Sequence, residues 1–153
     1  MTLFMETTKI SASDTVAQVQ KLLGMYGVLS VFTEYENGEV AALSFAIAIK
    51  GDPVPYRLPC RWEAIEKILL KRKKRDGHKP QVQAAVRDQA KRVAWRQILR
   101  WVEAQLALTD TGMVEIGEVF LPYMRTGKDE TLYQRFLENG LKMIEYKEEN
   151  HVR

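Results

Sequence analysis

Residues 28–50 read VLSVFTEYENGEVAALSFAIAIK, and this stretch decides the fold. Val28 to Tyr35 is rich in β-branched and aromatic residues, which favour a pleated, half-buried strand. Glu36-Asn37-Gly38 follows, and Asn-Gly is the preferred pair where a hairpin turn demands positive φ. Val40 to Lys50 predicts the returning strand. In it Ala41, Leu43, Phe45, Ile47 and Ile49 alternate with Ala42, Ser44, Ala46 and Ala48. One face is large and apolar, so it belongs to a core. The other is small enough to sit under a helix or a second subunit.

Working outward, Gly51-Asp52-Pro53 predicts a turn and Val54 to Leu58 a short third strand. Pro53, Pro55 and Pro59 lack amide donors, which places that strand at the sheet edge. Upstream, Ser13 or Asp14 suits the cap of a helix over 15–25, with Val16, Val19, Leu22 and Leu23 as its buried face. Gly24 and Gly27 stop it, and residues 1–9 read as a frayed or docking terminus. Downstream, helices are expected over 61–75, 82–108, 113–123 and 131–139, followed by a tail over 141–153. The fold class is α+β. It comprises an N-terminal helix, a small antiparallel three-stranded sheet, and a C-terminal helical part built on one long helix. We expect a single domain over 1–153, with 10–59 and 61–140 as its two parts. The element order over 14–75 is similar to that of double-stranded RNA-binding domains. That family's loop histidine and proline, and its lysines at the start of the second helix, are missing.

The long helix carries two apolar faces at 100° per residue. Val86, Ala90, Val93, Ala94, Gln97, Trp101 and Ala104 fall on one side, and Trp95, Ile98, Leu99, Val102 and Leu106 on the other. Such a helix is sandwiched, either within one chain or against a partner.

Totals exclude several classes. The chain has 153 residues and 46% hydrophobic content, enough for a core and too much for disorder. No apolar run approaches the roughly 20 residues of a membrane helix, and the N-terminus shows no signal-peptide pattern. A lone Cys60 fits a reducing cytoplasm. Cys60 with His78 is the only Cys/His pairing available to nucleophilic chemistry, and nothing marks it. Glu34 with Glu36, and Glu115 with Glu118, are the carboxylate pairs to weigh for metal or acid–base work. With no Walker loop or dinucleotide fingerprint, we expect no cofactor, no metal site and no catalysis.

Charge is where the sequence speaks about partners. Residues 1–49 hold 2 basic and 5 acidic side chains, residues 50–101 hold 15 and 5, and residues 102–153 hold 6 and 10. The middle third, at +10, is a basic island between acidic flanks. Lys71, Arg72, Lys73, Lys74 and Arg75 form an unbroken run. On the long helix, Arg92, Arg96 and Arg100 follow at i, i+4 and i+8, with Glu103 ending the row, and Arg87 and Lys91 share the other flank. Guanidinium forks match phosphate, so these ten residues are the candidate nucleic-acid contacts. Trp62, Trp95 and Trp101 are either base-stacking platforms or core. The bland counterpart for the arginine row is a solvated helix edge, salt-bridged to the acidic C-terminal third.

Several stretches are similar to a small uncharacterised family of phage, prophage and mobile-element proteins. They are Val19 to Leu23 with Tyr26-Gly27, Ala42 to Phe45, Tyr56 to Pro59, Val93 to Arg96, Trp101 to Ala107 and Phe120 to Met124. The resemblance implies a context, a gene used by a virus or mobile element in the cytoplasm of a bacterial host cell, and brings no activity or residue role with it. The leading expectation is a non-enzymatic accessory protein that binds single-stranded DNA or RNA. Other readings are a counter-defence factor that binds an acidic host protein or sequesters a nucleotide signal, and a subunit of a larger assembly or of a homo-oligomer.

Overall fold

The computed structural model describes residues 1–140; the tail expected over 141–153 lies outside the described residues. The elements are α1 (Ala12–Met25), β1 (Ser30–Glu36), β2 (Glu39–Ile49), β3 (Asp52–Pro59), α2 (Glu63–Arg72), α3 (Pro80–Asp110), α4 (Ile116–Val119) and α5 (Leu132–Asn139). The architecture is the expected α+β arrangement. Two predicted helices are shorter than their sequence patterns. The stretch 61–75 divides into α2 and a 3-10 turn at Lys74–Asp76, and 113–123 divides into α4 and a 3-10 turn at Leu121–Tyr123. α1 starts early because Ser11, rather than Ser13 or Asp14, is the cap: its Oγ accepts the Asp14 amide at 3.1 Å.

The sheet is an antiparallel meander in the order β1-β2-β3. Asn37 and Gly38 take φ of 52° and 80°, the doubly left-handed turn that matches the twist of its strands. Lys50 and Gly51 do the same at 50° and 86°, so the second turn falls one residue ahead of the predicted Gly51-Asp52-Pro53. Between Glu34↔Ala42 and Tyr35↔Val40 the register shifts, leaving Ala41 unmatched on β2. This bulge breaks the predicted alternation: Val40, not Ala41, packs with the core.

The core lies between the apolar face of the sheet and the helices. Leu43, Phe45, Ile47, Tyr56 and Leu58 meet Val16, Val19 and Leu23 of α1 and Trp95, Leu99, Val102 and Leu106 of α3. Phe120 closes one end, edge-on to Phe45 at 5.3 Å and to Trp101 at 5.6 Å between centroids. Each such fully buried side chain contributes about 1.5–3 kcal/mol. The second apolar face of α3 is also met within the chain. Val86, Ala90 and Val93 are buried on the side where α2 packs and where the N-terminal segment is tied down. Gln89 Nε2 donates to the carbonyls of Glu6 (2.8 Å) and Thr8 (2.9 Å), and Gln97 Nε2 to that of Phe4 (2.8 Å). Residues 1–9 are thus a docked strap.

Candidate nucleic-acid interface

The basic run falls at a corner of the molecule. Lys71 and Arg72 end α2, where cations suit the helix dipole. Lys74 takes a φ of 50°, which turns the chain into the 3-10 segment. All five residues from Lys71 to Arg75 are exposed. Arg72 is tied down by the Glu6 carboxylate and the Met1 carbonyl. Nearby, Lys79 pairs with Asp76 at 2.7 Å. Lys71, Lys73, Lys74 and Arg75 have no carboxylate partner among the described residues. Residues 67–79 hold seven basic side chains and one acidic, a net of +6.

The row on α3 has a different fate. Arg96 is 5% exposed, wedged between α3 and α1, so it is not the surface phosphate contact that its spacing predicts. It donates to Gln18 Oε1 at 2.8 Å and to Thr15 Oγ1 at 3.5 Å, and its Nε has no partner. The physical reason is helix drift. An i, i+4 row rotates about 40° per step, and α1 crosses the row at Arg96. Arg92 is half-buried and donates to Gln89 Oε1 at 3.0 Å. Arg100 is exposed but held by Glu103 at 2.8 Å. On the other flank Arg87 pairs with Glu66 at 3.2 Å and Lys91 with Glu39. Both of these cations also lie over the Trp62 ring, at 5.8 and 4.7 Å from its centroid. Trp95 is buried, and Trp101 packs against Phe120 and Tyr123. All three tryptophans take part in the packing: Trp95 is buried, and Trp62 and Trp101 are half-buried against the core.

The groups weighed for catalysis also have structural partners. Burial pushes the Cys60 thiol up to about 12, far from the thiolate a nucleophile needs. His78 is exposed on the basic corner. Glu115 and Glu118 form the capping box of α4. Glu34 parts from Glu36 and joins a network that the sequence hides. Its carboxylate accepts from Ser44 Oγ (2.8 Å), from Arg57 Nε (2.7 Å) and from Arg125. Burial alone would raise its pKa, but the bonds from Ser44 and Arg57 and the two arginine charges hold it below the ordinary carboxylate range. Ser44 and Glu34 share the small face of the hairpin, a signal available from alternation. Arg125 arrives from 91 residues away, and no local pattern announces it.

No protein-family profile matches the chain, and no curated protein or solved structure matches it either. Among the described residues, no helix is long and apolar enough to cross a membrane.

Proposed function

We propose that the protein binds nucleic acid, as a non-enzymatic accessory protein of a phage or mobile element, through the corner formed by residues 71–75. The observation that carries this reading is the state of its cations. Lys71, Lys73, Lys74 and Arg75 are exposed and have no carboxylate partner among the described residues, whereas Arg87, Lys91 and Arg100 each have one. Four free cations on about as many residues form a compact electrostatic footprint for a phosphate backbone. The resemblance noted above supplies the genetic setting.

Fluorescence anisotropy with labelled oligonucleotides at several salt concentrations tests this. Four phosphate contacts on a single strand give a log–log salt slope of about −3. Replacing Lys71, Lys73, Lys74 and Arg75 together by Ala is expected to weaken binding about 100-fold or more at low salt and to flatten that slope. Because the four side chains are exposed, melting should stay within about 2 °C. The double variant Arg92→Ala/Arg100→Ala is expected to change affinity less than about threefold. Unchanged affinity in the corner variant removes the corner from the interface, and a wild-type protein that binds nothing at low salt ends the reading.

A further inference from the structure

The face of the sheet away from the core carries a second set of groups aimed outward. Phe32 pairs with Ser44 and Ser44 with Arg57, so an aromatic ring, a small hydroxyl and a guanidinium form one row across the three strands. Two interstrand spacings separate the ends of that row by about 10 Å. The row is open at its β1 end: Phe32 is 64% exposed, and Pro55 and Ala48 on the same face are exposed, while Ser44, bonded to Glu34, is buried and Arg57 is half-buried. Arg125 enters from beyond β3, where its backbone amide donates to the Pro55 carbonyl at 2.8 Å. Arg57 and Arg125 share the one carboxylate of Glu34, so this three-residue network carries one net positive charge. Glu34 Oε2 takes only Nε of Arg57, so the two terminal nitrogens of that fork have no partner among the described residues. Arg125 Nε is buried without a partner. The shared carboxylate fixes both forks in place, so little side-chain entropy remains to be lost when an anion arrives.

We infer that this face is a contact surface for a single strand of DNA or RNA, with Phe32 stacking on a base and Arg57 and Arg125 holding the neighbouring phosphates. The inference rests on the nucleic-acid reading above and adds the strand type. A duplex keeps its bases stacked on one another and offers none to a lone ring, whereas a single strand can lay a base on an exposed aromatic. Charge complementarity selects a polyanion: in this network two cations stand against one carboxylate, which already accepts three bonds.

The test is anisotropy with labelled 15-mers of thymidine and uridine and with a DNA duplex of the same length. The proteins are the wild type, Phe32→Ala and the corner variant that lacks the cations of Lys71, Lys73, Lys74 and Arg75. Phe32→Ala is expected to weaken single-strand binding about 5- to 100-fold. Its salt slope should be unchanged, because stacking releases no counterions, and duplex binding should be unaffected. The thymidine and uridine arms separate DNA from RNA as the source. If Phe32→Ala binds single strands as tightly as the wild type does, the inference is overturned, and a loss confined to the corner variant then leaves the corner reading standing alone. The opposite pattern, loss only in Phe32→Ala, keeps the sheet and removes the corner. Absence of single-strand binding by the wild type at low salt overturns the inference, and absence of duplex binding as well overturns the corner reading too. Arg57→Lys checks the phosphate side independently. It keeps the charge beside Glu34 but removes the fork, and a loss of affinity with unchanged melting is expected.

Discussion

Residues 71–75 and the arginines at 92, 96 and 100 are the same chemistry in two settings. The first set sits at the end of a short helix, where few elements reach it, and four of its five cations stay free. The second lies along a 31-residue helix with α1 and the N-terminal strap laid against it. There each guanidinium is taken up by a neighbour: Gln89 for Arg92, Gln18 and Thr15 for Arg96, Glu103 for Arg100. A count of charges along a chain cannot separate these cases. What separates them is how much protein surrounds each position, and hence whether the cation faces water or a protein acceptor.

The sharpest way to break that contrast is at Arg96. Its stem fills space between two helices, while its charge is met by neutral acceptors alone. Arg96→Ala removes both and leaves a cavity, so a loss of about 2–4 kcal/mol is expected, or roughly 5–15 °C in melting temperature. Arg96→Met keeps the stem and removes a poorly compensated buried charge, so its stability should stay within about 1 kcal/mol of wild type. Oligonucleotide affinity of the methionine variant should match the wild type. If that variant melts normally but binds poorly, Arg96 is a phosphate contact after all and the two regions are alike.

A smaller effect is expected at Glu34, which holds two arginines as the corner's cations are not held. Its folded pKa is depressed, so the sign of the linkage follows. Its contribution is complete above the unfolded value of 4.5 and is lost as pH falls from there through the folded value. Glu34→Gln is expected to cost about 2 kcal/mol near neutral pH, from charge-assisted bonds replaced by neutral ones. Its melting temperature should also fall less steeply than the wild type's below pH 4.5. Parallel acid profiles for the two proteins would mean that the network contributes nothing to stability.

These contrasts also mark what can be read from residues alone. The hairpin was legible because alternation and Asn37-Gly38 are local signals, and α3 because helix formers run unbroken from Val82 to Leu108. The bulge at Ala41 was not, since it depends on how β1 and β2 pair. The corner was visible as a run of five cations. The burial of Arg96 was hidden, because it depends on where α1 crosses α3. Glu34, Arg57 and Arg125 come from three separate segments, so only the fold assembles them. Sequence shows a charge cluster that a single segment supplies and misses the network that tertiary structure builds.

The finest adjustment of the comparison lies at Arg72, the one member of the corner treated like the α3 cations. Glu6 reaches it from the docked strap and neutralises it. Glu6→Gln should remove the counter-charge from Arg72, leaving it the neutral Met1 carbonyl, while the strap stays held by Gln89 and Gln97, whose partners are backbone carbonyls rather than the Glu6 side chain. The pair is partly exposed, so stability should change by less than about 1 kcal/mol. One more free cation should steepen the single-strand salt slope by about 0.7 and tighten binding a few-fold at low salt. The sign matters more than the size. A charge-independent contribution from the corner would leave the slope unchanged, and a strap that detaches on losing Glu6 would lower the melting temperature well beyond the expected margin. Only an acid that competes with phosphate for Arg72 gives a steeper slope at unchanged stability.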